Sequence, residues 1–249
     1  MIEIRNLVKT FGSKTAVNVS SLAIEDIGII GLVGNNGAGK TTLFRLILDL
    51  LKADSGEVRI YDEDVSAGEE WKKHMGAFIE SGFLIDYLTP QEYFSLIGKL
   101  SGVSKEDVVG HYERYKNFLP EESDFRGTYI RELSAGNKQK VGIISALLHK
   151  PRFILLDEPF NFLDPSSQLV LKRILQNYIA ENQASIVISS HNLNHIANFC
   201  QRVILMEKGV IIKDLQNTGA EVEATLNEYF VAQLEGTDIT PTTEEMTQL

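Results

Sequence analysis

Cysteine is almost missing from this chain of 249 residues: Cys200 stands alone. One thiol excludes an internal disulfide and any cysteine metal cluster, so a small cross-linked secreted fold is ruled out. Set in Ala197-Asn198-Phe199-Cys200, it reads as a packed core thiol. Long apolar runs are missing too. The longest, around 27–33 and 153–156, have strand length, far short of the roughly 20 residues that a membrane-spanning helix needs. Glu3 and Arg5 interrupt the first residues, where a secretory leader would be apolar. The expectation is a cytosolic chain. Basic charge is short as well: 24 Lys and Arg face 34 Asp and Glu, a formal charge of −10. Without clustered cations a polyanion finds little to hold. That speaks against a nucleic-acid partner and against direct attachment to anionic lipid.

What is present is organised around Gly34-Asn35-Asn36-Gly37-Ala38-Gly39-Lys40-Thr41-Thr42. An apolar run over 27–33 precedes it and reads as a buried strand; Leu43-Phe44-Arg45-Leu46-Ile47-Leu48 follows and reads as the first turns of a helix. Strand, glycine-rich turn and helix start are the context in which G-x-x-x-x-G-K-[ST] is a phosphate-binding loop. Glycines let successive N–H groups turn inward around an anion, and the helix N-terminus adds partial positive charge. That dipole, at most about 2 kcal/mol, is too little to hold a triphosphate against water. Lys40 is therefore expected to bring a full charge to the β- and γ-phosphates, and Thr41 a hydroxyl ligand to Mg²⁺. Residues Asn35 to Thr42 form the candidate nucleotide-binding set, with ATP and Mg²⁺ as the implied ligands.

Around this loop the chain predicts an α/β fold: a phosphate-loop core with a mixed central sheet, an N-terminal antiparallel β region and an inserted helical subdomain. Residues 1–24 alternate polar and apolar in two or three short runs, with Gly12-Ser13-Lys14 as a turn. A helix is expected from the loop to about residue 51, a strand over 57–61, a short helix over 67–73 and a buried strand over 75–79. From about 82 to 133 the pattern turns helical. Thr89-Pro90-Gln91-Glu92 is a helix start with a capping box, and Ser104 caps another helix with Val108, Tyr112, Tyr115 and Leu119 on its apolar face. Further helices are expected over 137–148, 165–180, 192–199 and 221–234, strands over 153–156 and 185–189, and a hairpin around Lys208-Gly209. The main domain spans 1–235, and the threonine- and acid-rich 236–249 reads as a flexible tail. No repeat and no second phosphate loop are present.

Two further positions carry chemistry. Asp157-Glu158 closes an apolar strand, the context of the metal-supporting carboxylate in phosphate-loop ATPases. Asp157 is expected to hold Mg²⁺ through water, and Glu158 to polarise an attacking water as general base. Alone, Asp157-Glu158-Pro159 would read as a charged strand end before a turn. His191, after the next apolar strand, is expected as a neutral imidazole to donate to the γ-phosphate and hold water and Glu158 in line. His74, His111, His149 and His195 fall in helical segments and read as surface or packing residues, with no metal-ligand spacing.

This order of motifs resembles the nucleotide-binding subunit of ATP-binding cassette (ABC) transporters over nearly the whole chain up to about residue 215. Leu133-Ser134-Ala135-Gly136-Asn137-Lys138-Gln139 is similar to that family's signature, usually Leu-Ser-Gly-Gly-Gln; Ser134 and Gly136 match, Ala135 and Asn137 depart. The resemblance implies that Ser134, Ala135, Gly136 and Asn137 act on the ATP of a second subunit, two ATP molecules lying between head-to-tail copies. Without it, Ser134 would be a plain helix cap. The resemblance also implies an adenine-facing aromatic at Phe11, otherwise a packing residue, and a loop crossing the dimer interface at Phe160-Asn161-Phe162-Leu163-Asp164, with Asp164 its acid. Glu80 stands where most members carry a Mg²⁺-binding glutamine; the plain alternative is a solvated loop residue. A carboxylate there adds negative charge beside Asp157 and Glu158, enough to raise a carboxyl pKa or demand tighter metal binding. Its surroundings, Gly76 to Gly82 with Leu88-Thr89-Pro90-Gln91-Glu92, resemble cassettes of the bacitracin-resistance and lantibiotic-immunity type.

The resemblance thus implies an ATPase that powers an exporter of a peptide or amphiphile. It would work as a pair of subunits, a homodimer before a heterodimer, held to the inner face of the cell membrane by a separate permease. Two rivals stand beside it: a non-transport ABC ATPase serving assembly or repair, and a low-turnover nucleotide-gated regulatory module.

Overall fold

The computed structural model describes residues 1–25, 28–192, 196, 199–216 and 228–229. In chain order the strands are β1 (Ile2–Phe11), β2 (Lys14–Ile24), β3 (Gly28–Val33), β4 (Ser55–Ile60), β5 (Glu63–Asp64), β6 (Met75–Phe78), β7 (Phe153–Leu156), β8 (Ser185–Ser190), β9 (Arg202–Glu207) and β10 (Val210–Gln216). The helices are α1 (Lys40–Ile47), α2 (Pro90–Leu100), α3 (Lys105–Tyr115), α4 (Glu122–Gly127), α5 (Ala135–Ala146) and α6 (Pro165–Asn182).

Alternation along the first strands produces a four-stranded antiparallel sheet, ordered β2-β1-β4-β5. Ile2, Ile4 and Leu7 of β1 are buried with Val17, Val19, Leu22 and Ile24 of β2, while the residues between them largely face out. The predicted antiparallel region is present, as one long hairpin rather than several short runs. The second sheet is mixed and six-stranded, ordered β10-β9-β3-β8-β7-β6. The five strands from β9 to β6 run parallel, and only β10, at one edge, is antiparallel.

The central strands read as unbroken apolar runs because both faces are covered. Period two still divides them. Ile29, Val33, Ile154, Leu156, Ile186, Ile188, Val203 and Leu205 enter the core that also holds α5 and α6 residues. Ile30, Leu32, Phe153, Leu155, Val187, Ile204 and Met206 enter a second core with α1 and the antiparallel sheet. Gly142 lets α5 press onto β6: a Cβ there would lie 2.0 Å from the Phe78 ring. Cys200 is buried in the first core, as predicted, and burial pushes its thiol pKa up.

Between β6 and α5 the chain is helical, with no strand among its elements. The Thr89 capping box forms in full, and the Ser104 hydroxyl accepts the Asp107 N–H. Three local expectations shift. α1 ends at Ile47 rather than near residue 51, since Leu48 caps it and Asp49 takes a left-handed φ of 51°. Residues 67–73 yield a 3₁₀ turn at Glu70–His74, pinned by Trp71, whose indole N–H donates to the Val65 and Gly68 carbonyls. Leu119 lies past the end of α3, and α4 was not foreseen. The helices expected over 192–199 and 221–234, His195 and the tail 236–249 lie wholly or mostly outside the described residues. Among the described residues no helix is long and apolar enough to cross a membrane.

Candidate functional site

Parallel pairing decides where the predicted residues meet. β3, β8, β7 and β6 lie side by side, with Val33 opposite Ser190, Leu156 opposite Ile188 and Phe78 opposite Leu156. Their carboxyl ends share one edge, where α/β sheets bind ligands. Each exit from that edge carries a predicted residue: the loop 34–42 after β3, Glu80 after β6, Asp157-Glu158 after β7 and His191 after β8.

The loop is built to receive an anion. Ala38 N–H donates to the Asn35 carbonyl, closing its turn, and the Ala38 carbonyl accepts from Gly209. Gly39 takes a φ of 110° against β2, where a Cβ would fall 2.4 Å from the Ala16 carbonyl oxygen. Gly37 is also left-handed and open on its Cβ side. α1 starts at Lys40 with no acidic residue in its first turn and no side-chain cap. Its first N–H groups are thus left for an outside acceptor, a cradle that fits a phosphate.

Lys40 is 6 % exposed and folded back onto its own loop. Its Nζ donates to the carbonyls of Gly34 (2.6 Å) and Asn35 (3.3 Å) and lies 3.7 Å from Glu158 Oε1. Burial lowers its pKa, while Glu158 and Asp157 pull the other way. The Thr41 hydroxyl donates to Asp157 Oδ2 at 2.5 Å, and Ser189 donates to Asp157 Oδ1. Burial pushes the Asp157 pKa up, with the Ser189 and Thr41 hydroxyls holding it back.

Glu158 occupies a left-handed φ of 47°, which L-residues seldom adopt. Two neighbours hold its backbone: its N–H donates to Ser189 Oγ (2.8 Å), and its carbonyl accepts from Gln139 Nε2 (3.0 Å). Strain held in place at such a position is a mark of functional sites. His191 Nδ1 lies 2.9 Å from Glu158 Oε1, the oxygen that also faces Lys40. Glu80 reaches instead for Arg45 of α1, whose Nη2 donates to its Oε1 at 2.7 Å.

A cavity of about 400 Å³ is lined by Thr41, Glu80, Asp157 and Glu158 on one side and by Ala135 and Gln139 of α5 on another; Lys40 and His191 do not line it. Ser134, Gly136 and Asn137 do not line it. Ser134 Oγ accepts the Asn137 N–H at 3.2 Å, capping α5, and a Cβ on Gly136 would meet the Phe162 carbonyl. Asp164 caps α6 through Ser167 N–H, and the Ser166 and Ser167 hydroxyls hold its carboxyl well below the usual range. Phe11 ends β1 with half its surface exposed, so it is not a packing residue. It pairs across the hairpin with Lys14, two residues from the Ala16 that borders Gly39. A larger cleft of about 740 Å³, between α3 and the end of α6, holds none of the predicted site residues.

No group of three His, Cys, Asp or Glu side chains among the described residues could hold a metal alone. Thr41 and Asp157 offer hard oxygen atoms that suit a Mg²⁺ taking most of its ligands from phosphate and water. His74 is exposed and edges onto Tyr61; His111 and His149 pack as expected, though His149 lies in the turn past α5 rather than in a helix. Sequence reading missed Arg45, Ser189 and Gln139 as partners of the site. A serine in an apolar strand and an arginine one helical turn beyond Thr41 were the available signals.

Comparison with known proteins points to one family. The family profile described as "ABC transporter" matches residues 17–161. An uncharacterized ABC transporter ATP-binding protein of Bacillus subtilis, YhaQ, is 34% identical over 213 residues, covering 84% of this chain and 69% of its own length. The bacitracin transport ATP-binding protein BcrA of Bacillus licheniformis is 30% identical over 216 residues, with 86% and 69% covered. Among solved structures, a dimeric post-hydrolysis ATP-binding cassette bound to ADP and Pi superposes with a TM-score of 0.78 at 25% identity, over 88% of this chain and 100% of that one.

Proposed function

Because the chain belongs to the ABC transporter family as an ATP-binding subunit and ATPase, we propose that it drives an exporter of a peptide or amphiphile, working as a pair of identical copies on a separate membrane permease. The observation that carries the catalytic part is the shared oxygen: Glu158 Oε1 faces both Lys40 and His191 beneath the open N-terminus of α1. The similarity to a relative named for bacitracin transport supports the cargo class.

Each side chain then has one task. The N–H groups of 37–42 and Lys40 hold the phosphates; Lys40 leaves the Gly34 and Asn35 carbonyls to do so, which also frees Glu158. Thr41 and Asp157 would hold Mg²⁺, which when bound screens phosphate charge. Glu158, its backbone clamped by Ser189 and Gln139, takes a proton from the attacking water. His191 donates to Glu158 through Nδ1, so a neutral ring has only a lone pair at Nε2 and can accept, not donate, there. It orients Glu158 and the water. Ser134 and Gly136, outside the cavity of their own chain, serve the ATP of the second copy, with Asp164 at the crossing loop. The helical stretch 82–133 meets the permease on the cytoplasmic side.

Glu158→Gln tests this reading. Turnover should fall by about 10²- to 10⁴-fold, the usual worth of a placed base. ATP and Mg²⁺ should then trap a two-chain particle, read by light scattering. Wild-type turnover in that variant would remove Glu158 as the base.

A further inference from the structure

Glutamate at position 80 puts a third carboxylate beside Asp157 and Glu158, on a cavity proposed to receive a polyanion. Left alone it would repel the γ-phosphate. The structure supplies its counter-charge. Arg45 lies four residues beyond Thr41 on α1, hence on the same helix face. Its Nη2 donates to Glu80 Oε1, and its Nε is buried with no hydrogen-bond partner among the described residues. An exposed ion pair of this kind adds little to stability. A guanidinium that leaves one buried donor unsatisfied is also no optimised surface contact. Its effect lies in what it does to Glu80. One oxygen is anchored on the α1 side, and Oε2 keeps no hydrogen bond among the described residues.

We propose that Arg45 is the positioning residue and counter-charge of Glu80. It lets the carboxylate meet the metal–nucleotide complex as a net neutral pair with Oε2 presented, and so sets how strongly nucleotide binding depends on Mg²⁺. This rests on the reading that Glu80 faces the Mg²⁺ of bound ATP.

The test is the ratio of ATP dissociation constants in EDTA and in Mg²⁺, measured on the full chain by equilibrium titration. Arg45→Gln leaves Glu80 uncompensated: ATP alone is repelled and Mg²⁺ attracted, so the ratio rises. The expected rise is about tenfold, the order that one neighbouring charge exerts on an ionisable group. Glu80→Gln leaves Arg45 uncompensated, and the ratio falls by a similar factor. The double variant restores the charge balance and returns near the wild-type ratio. Arg45→Lys, which keeps the charge without the fork, raises the ratio only a few-fold; it replaces Arg45→Gln if the latter fails to fold, a few-fold rise counting in favour and an unchanged or lower ratio against. A merely structural Arg45 would weaken both constants together, and an unchanged or lowered ratio in Arg45→Gln, with Glu80→Gln shifted, overturns the proposal. If Glu80→Gln itself leaves the ratio unchanged, the Glu80 reading fails and the proposal falls with it.

Discussion

Phe11 gives one ring face to Lys9, whose Nζ lies 5.6 Å from the ring centroid. Asp54 fixes that lysine at 2.8 Å and accepts the Thr10 N–H at 2.7 Å, so the turn before β4 holds the cation in place beside β1. If Phe11 stacks on the adenine, its other face takes the base. Lys9→Met should weaken ATP binding by about two- to fivefold, the worth of an exposed cation–π contact. Binding of inorganic triphosphate, which has no base, should not change. Equal loss for both ligands in a titration would return Lys9 to the fold alone. Residue identities at the site were legible because loop, Asp157-Glu158 and His191 are local patterns with fixed chemistry. Their partners were not. Arg45, Ser189 and Asp54 act across 35, 32 and 44 residues of chain, on Glu80, Asp157 and Thr10, a separation that only the sheet order closes.

Elements divide the same way. Caps are decided within four residues, and both predicted caps, Thr89 and Ser104, form as read. α4 and the 3₁₀ turn at Trp71 are stabilised by packing from elsewhere, so their own residues announce little. The α3–α5 seam makes a prediction of its own. His111 Nε2 donates to the Ile144 carbonyl, and burial lowers its pKa from 6.5 to about 4. His149 beside the same cleft is shifted down too, and among the described residues its buried Nδ1 has no hydrogen-bond partner for an added proton. A histidine with a depressed folded pKa binds protons better when unfolded, so stability is present above the unfolded value and is lost as pH falls from about 6.5 towards 4. For His111 this amounts to about 2 kcal/mol between pH 7 and pH 5. Urea midpoints at the two pH values should show that loss in the wild type and a clearly smaller one in His111→Gln. Equal losses would mean that the carboxylates dominate the acid limb.

On the scale of the whole molecule, the fold class was legible because strand periodicity and motif order agree. What stayed hidden was the strand order β3-β8-β7-β6, which aligns four exits on one edge. The formal charge of −10 has a consequence for pairing. Two such copies repel at long range, and salt screens that repulsion over about 10 Å at 0.1 M. The ATP-trapped dimer of Glu158→Gln should therefore tighten as salt rises from about 0.01 to 0.1 M, read by sedimentation. Loosening instead would point to attractive pairs across the interface.

The helical stretch leaves the mixed sheet through β6 and Glu80 and returns through Ser134 at the head of α5. Both of its tethers are therefore groups that the nucleotide is proposed to touch. Linkage makes such an arrangement reciprocal: whatever free energy ATP spends in reorienting these helices, a partner that holds them reoriented returns as tighter ATP binding. A membrane protein docked on this stretch would thus set the nucleotide affinity of the chain before any cargo arrives, and the same subunit would have a different appetite for ATP alone and in its complex.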